Sequence, residues 1–188
     1  MITPNRLTAV RIVIAFISPL LLIWNRSFHN ELIVLIGFTL ACITDCWDGY
    51  LARSKSMITW TGKIVDPIAD KLLILGLMFT FSFLGLYSFW WVIPILIREL
   101  VVTGVRLVSL KRGKVIPAEA AGKIKIGFQI GSIYATLVFL MMLDRGVFLE
   151  PKSLPLASLQ ALHYLGVFLA NVVTLLSGII FLYRLNRQ

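Results

Sequence analysis

The sequence predicts an all-α integral membrane protein, with six transmembrane helices behind a short amino-terminal interfacial segment. Three observations predict this class. The 188 residues are 59% hydrophobic and only 14% charged, with a mean hydropathy of +0.89. Ordinary soluble domains run about 45–50% apolar and about 25% charged. The apolar residues gather in six runs, each close to the roughly 20 residues that a helix needs to cross a bilayer. Lys and Arg crowd into alternate breaks between the runs, as cytoplasmic loops require. A soluble domain of this composition would expose large apolar patches to water. Disorder, collagen and coiled coil are excluded by the same numbers.

The spans follow in order. The first runs from about Thr8 to Trp24. No small-residue cleavage site follows it and further spans do, so it is expected to be a retained helix, not a signal peptide. After the break 25–31, the second runs from Leu32 to Ala52, and after 53–61 the third from Gly62 to Leu86. A tight Gly85-Leu86-Tyr87-Ser88 turn leads into the fourth, Phe89 to Leu110. The basic loop Lys111–Lys123 precedes the fifth, Ile124 to Leu143, and the break Asp144–Pro155 precedes the sixth, Leu156 to Tyr183. Trp24, Trp60, Trp90, Trp91 and Tyr183 fall near span ends, where aromatic belts sit. With no repeat, long loop or low-complexity stretch, residues 1–188 read as one membrane domain.

Six spans put both termini on one side. That side carries fifteen of the 18 Lys and Arg residues, and the other carries only Arg26, Arg145 and Lys152. The termini are therefore expected in the cytoplasm. The far side balances its three bases with Glu31, Asp144 and Glu150, so the whole net charge of +9 belongs to the cytoplasmic side. Topology accounts for an excess on that side, and nucleic acid is not needed to explain it.

The carboxylates are concentrated. Asp45 and Asp48 are three apart at the end of the second span, and Asp66 and Asp70 are four apart in the third. Each pair shares a helix face. The two helices are joined by a short loop, so all four acids are expected to converge in one polar cavity. Intramembrane carboxylates point to function. Left alone they repel and protonate. Divalent cations with all-oxygen ligands, Mg²⁺, Mn²⁺ or Ca²⁺, resolve the repulsion, and four acids suffice for a two-metal site that clamps phosphoryl oxygens. Gly49, Ala52 and Gly62 are small residues on the same faces, which leave room for a ligand. Arg53 and Lys63 border the cavity and can neutralise phosphate charge. Helix-packing ion pairs and an Asp-based ion transporter are the competing explanations of the acids alone.

Other residues carry less. Cys42 and Cys46, four apart, do not have the spacing of a redox or zinc pair and read as small helix residues. His29 and His163 flank apolar runs and are expected at the interface. Gly127-Phe-Gln-Ile-Gly131 is a small-residue step suited to close helix packing.

The acids belong to a longer pattern: Asp45-Cys-Trp-Asp48-Gly49-Tyr-Leu-Ala52-Arg53, eight residues, Gly62, three residues, Asp66, three residues, Asp70. This resembles the complete signature of the CDP-alcohol phosphotransferase family, about a seventh of the chain, and the six-helix plan is similar too. The resemblance implies an inner-membrane enzyme, usually a homodimer, that moves a substituted phosphate from a CDP-linked donor to an alcohol and releases CMP. It implies two divalent cations on Asp45, Asp48, Asp66 and Asp70, with Asp70 also the base for the acceptor hydroxyl. It places Asp48, Gly49, Ala52, Arg53 and Gly62, with Asn5 and Thr8, at the CDP donor.

Further segments narrow the acceptor. Thr3-Pro4-Asn5-Arg6-Leu7-Thr8 with Arg11, the stretch Arg98-Glu99-Leu100-Val101-Val102-Thr103-Gly104-Val105-Arg106, Gly113, and Gly122-Lys123-Ile124-Lys125 resemble the branch of the family whose donor is CDP-diacylglycerol and whose acceptor is glycerol 3-phosphate. Two departures are Trp47, where Phe is common, and Ile126, where Thr is frequent and which is expected beside the acceptor pocket. Independently, a phosphorylated acceptor needs Arg or Lys clamps. Lys63, Arg98, Arg106, Lys123 and Lys125 are expected to supply them, and Glu99 to pair with one of the bases and orient it. Inositol phosphate, another alcohol or phosphatidylglycerol are the alternative acceptors. After Gly127 the sequence reads as undifferentiated apolar helix.

Overall fold

The structure is a computed structural model that describes residues 4–55, 60–111, 120–144 and 154–185, with side chains over 8–45, 68–109, 122–144 and 158–185. Among the described residues every regular element is helical. The elements are α1 (Pro4–Trp24), α2 (Phe28–Lys55), α3 (Trp60–Phe83), a single 3₁₀ turn (Phe89–Trp91), α4 (Ile93–Lys111), α5 (Ala120–Asp144) and α6 (Leu154–Leu185). They form two compact units, one of residues 1–84 and 140–149 and the other of 85–139 and 150–188.

Among the described residues, three helices contain stretches long and apolar enough to cross a membrane. These are Phe28–Asp45 in α2, Gly122–Asp144 in α5 and Ser158–Leu185 in α6, and Thr8–Trp24 in α1 is a shorter apolar stretch. Large apolar side chains on these helices face outward, among them Phe16, Leu20, Leu40, Leu165, Leu176 and Ile179. That surface suits lipid and not water. From Pro4 onward the amino-terminal segment is helical and forms the first turn of α1. Proline is pre-shaped for that position and its missing N–H costs nothing there.

In the first unit α1 packs against both α2 and α3. The buried apolar side chains there include Ala15, Leu22, Val34, Phe38, Ala41, Ala69, Leu73, Leu77 and Phe81. Pro19 lies inside α1 and cannot donate to the carbonyl of Ala15. Gly76 of α3 faces that carbonyl: a Cβ on it would stand 3.7 Å from the Ala15 oxygen. Hydroxyls sit in the apolar helices by bonding their own preceding turn, as Thr39 does to the Leu35 carbonyl at 2.7 Å and Thr80 to that of Gly76 at 2.8 Å. Ser27 caps α2, its Oγ accepting from the Asn30 N–H at 3.4 Å. At the same end Arg26 reaches Asp144 at 3.2 Å and Glu31 at 3.8 Å, so three of the charges assigned to the far side cluster there.

In the second unit the chain turns at Gly85, whose φ of +78° is the left-handed conformation that glycine takes without strain. The expected fourth span does not start as regular α-helix. Phe89–Trp91 is a 3₁₀ turn capped by Ser88, and α4 begins at Ile93. Pro94 explains the break, because it has no N–H to give the Trp90 carbonyl. α4 packs on α6, Trp91 meets Phe168 edge-to-face at 6.0 Å, and Val92, Ile95, Ile133, Leu137, Val167 and Phe181 are buried.

His163 corrects its expectation. It is fully buried, not interfacial. Its Nδ1 meets Thr136 Oγ1 at 3.0 Å and its ring stacks on Phe139 with centroids 5.2 Å apart. α6 starts at Leu154, so His163 lies well inside the helix and not at its edge.

Candidate active site

The first unit brings one acid from each expected pair to a single cation. Helix α1 carries Arg11, three residues after the buried Thr8. Arg11 Nη1 donates to Asp70 Oδ1 on α3 at 2.8 Å and lies 3.2 Å from Asp45 Oδ1 on α2. The guanidinium is buried, at 1% exposure, while Asp45 and Asp70 are 48% and 36% exposed. The two carboxylates thus face each other across one nitrogen and stay open to an incoming ligand. By sequence alone Arg11 belongs to a terminal pattern and to the topological charge. Its place among the acids is a finding of the fold. The available signal was a basic residue inside an apolar run, which demands a partner at its own depth.

Asp48, Gly49, Ala52, Arg53, Gly62, Lys63 and Asp66, and Asn5 in α1, lie on helical backbone, and their side chains fall outside the described residues. By helical register Asp48 follows Asp45 by one turn of α2, and Asp66 precedes Asp70 by one turn of α3. Among the described residues no group of three or more His, Cys, Asp or Glu side chains gathers at a point. The donor set nevertheless fits a hard divalent cation. It offers carboxylate oxygens from two helices, converged on a point that already requires positive charge.

The second unit holds the basic cluster. Glu99 of α4 and Lys125 of α5 are buried, and Lys125 Nζ donates to Glu99 Oε1. Arg98 Nη1 reaches the same oxygen at 3.4 Å. Glu99 therefore pairs with basic neighbours as expected, and it gathers two of the five expected clamps. Arg106 lies two turns beyond Arg98 on α4, its guanidinium 5.5 Å from the centre of the Phe181 ring. Lys123 is exposed and is not drawn into the cluster. Ile126 is also exposed, at 44%, so this departure points outward and not toward the buried Lys125.

α5 and α6 are less uniform than their sequence suggested. Lys125, Gln129, Ser132 and Thr136 form a buried polar stripe on α5. Gln129 Nε2 donates to Thr174 Oγ1 of α6 at 3.1 Å. Polar groups buried between apolar helices find partners across the contact, and these positions recur at three- and four-residue spacing, which is the signal that would have located them. At the start of this unit, burial pushes the phenol of Tyr87 well above its usual range, so it stays neutral.

The sequence pattern of the CDP-alcohol phosphatidyltransferase family matches residues 1–172. A probable phosphatidylglycerophosphate synthase of Mycobacterium tuberculosis is 38% identical over 172 residues, covering 90% of this chain and 76% of the relative. A CDP-diacylglycerol–glycerol-3-phosphate 3-phosphatidyltransferase of Bacillus subtilis is 37% identical over 146 residues, covering 72% and 76%. One of the same name from Mycoplasma pneumoniae is 32% identical over 147 residues, covering 69% and 65%. Asp45 of α2 and Asp70 of α3, which meet at Arg11, thus sit in a chain that matches such enzymes over most of its length, and it belongs to the CDP-alcohol phosphatidyltransferase family.

Proposed function

We propose that the chain transfers the phosphatidyl group of CDP-diacylglycerol to glycerol 3-phosphate, giving phosphatidylglycerophosphate and CMP. The observation that carries this is the meeting of Asp45 and Asp70 at Arg11, inside the spacing of the family signature. The names of the Bacillus subtilis and Mycoplasma pneumoniae relatives support the same donor and acceptor.

Asp70, held through Oδ1 by Arg11, takes the proton of the glycerol 1-hydroxyl as that oxygen attacks the lipid-bearing phosphorus, and CMP leaves. A positioned carboxylate of this kind contributes typically about 10²–10⁴-fold in rate. Asp45, Asp48, Asp66 and Asp70 would hold two divalent cations, Mg²⁺ or Mn²⁺, which when bound neutralise charge on the phosphoryl oxygens and the leaving group. Asn5, Thr8, Asp48, Gly49, Ala52, Arg53 and Gly62 bind the CDP donor. Lys63, Arg98, Arg106, Lys123 and Lys125 receive the acceptor's phosphate, and Glu99 orients Arg98 and Lys125. The enzyme works in the inner membrane as one domain of six spans with both termini cytoplasmic, and as a homodimer.

A panel of radiolabelled acceptors supplied with CDP-diacylglycerol to the purified enzyme tests the assignment. Label should enter lipid from glycerol 3-phosphate. Incorporation only from inositol phosphate, phosphatidylglycerol or another alcohol reassigns the acceptor. Ion flux through liposomes without any CMP formation overturns the enzyme assignment altogether.

A further inference from the structure

We infer that Gly178 of α6 is a positioning residue for Arg98, and through it for recognition of the acceptor's phosphate. The inference rests on the proposal that Arg98 binds that phosphate. Three atoms of the Arg98 side chain cross the bare face of Gly178. A Cβ on Gly178 would stand 2.9 Å from Arg98 Cγ, 3.5 Å from Nε and 3.8 Å from Cδ. The first distance is shorter than packed carbons tolerate. Cγ is only the second side-chain carbon, so it cannot move aside without a change of rotamer that carries the guanidinium with it.

The head of the same side chain is fixed from another direction. Arg98 Nη1 lies 3.4 Å from Glu99 Oε1, the oxygen that also receives Lys125. Gly178 thus seats the stem while Glu99 holds the charged end. One turn further along α6, Phe181 lies under Arg106, so this helix face accommodates both arginines of α4. Any side chain at position 178 turns Arg98 away from Glu99 and Lys125 and disperses the positive charge they gather.

The test is steady-state kinetics on the purified full-length enzyme, both substrates varied, for Gly178→Ala, Arg98→Ala and the double variant. Gly178→Ala is expected to raise KM for glycerol 3-phosphate about tenfold, since small misplacements of a binding group are costly. KM for CDP-diacylglycerol should not change. Arg98→Ala should raise the same KM at least as much, and adding Gly178→Ala to it should have no further effect, because the stem it displaces is gone. If Arg98→Ala raises that KM while Gly178→Ala changes neither KM, or if the two effects multiply in the double variant, the inference fails and the acceptor role of Arg98 stands. If Arg98→Ala leaves KM for glycerol 3-phosphate unchanged, the acceptor role fails and takes the inference with it. Should Gly178→Ala alone fold poorly, the double variant is compared with Arg98→Ala: equal KM values support the inference, and a further rise overturns it.

Discussion

Arg11 Nη1 lies 2.8 Å from Asp70 Oδ1. The same nitrogen is 3.2 Å from Asp45 Oδ1, so one buried guanidinium ties together carboxylates from two helices, α2 and α3. α1 thereby contributes a side chain to the candidate site. Several consequences can be measured.

Arg11→Met removes the cation and leaves Asp45 and Asp70 facing each other. Its two partners are partly exposed, so the loss is smaller than for a fully buried pair, roughly 1–3 kcal/mol. The melting temperature in detergent should fall when a chelator is present, and added Mg²⁺ should restore most of the difference. Equal melting temperatures of variant and wild type in chelator would show that the pairing contributes nothing to stability.

Asp70→Asn keeps the size of the side chain and an oxygen for Arg11, but it cannot take a proton. The fold should persist, with turnover lower by about 10²–10⁴-fold. Near-normal turnover in that variant removes Asp70 from the role of base.

Glu99→Gln leaves the buried ammonium of Lys125 without its carboxylate. Breaking one side of a buried pair costs about 3–5 kcal/mol, and Lys125→Met added to Glu99→Gln should recover part of it by removing the stranded charge. Thermal unfolding of the single and double variants measures both. No recovery in the double variant would mean that the two side chains act independently.

Phe181→Leu keeps an apolar side chain under Arg106 but removes the ring face. A contact of this type is worth about 0.5–2 kcal/mol, so KM for glycerol 3-phosphate should rise a few-fold with kcat little changed. An unchanged KM would show that the ring does not hold Arg106 for the acceptor.

What could be read from the chain beforehand divides by distance along it. The sharing of a face by Asp45 and Asp48, and by Asp66 and Asp70, follows from helical spacing alone, and the apolar runs place α2, α5 and α6 directly. Arg11 and Asp70 are 59 residues apart, and nothing local in either segment announces the other. The burial of His163 is hidden from the sequence for a related reason. It stands near the edge of an apolar run, but its partners Thr136 and Phe139 come from α5, and the helix extends past the run to Leu154. The 3₁₀ turn before α4 was legible in principle, because Pro94 forbids a regular helix through Trp90, but hydropathy averaged over the run conceals a single missing donor. The role of Gly178 depends on which side chain crosses it, which only the packed helices reveal.

A phosphatidyl transfer that depends on Asp70 and on glycerol 3-phosphate is read out as CMP release from CDP-diacylglycerol by the purified enzyme, with and without glycerol 3-phosphate, in wild type and Asp70→Asn. CMP should form only when glycerol 3-phosphate is present, in step with labelled phosphatidylglycerophosphate, and should be nearly abolished in the variant. CMP released at the same rate with no acceptor, or equally by Asp70→Asn, would contradict it.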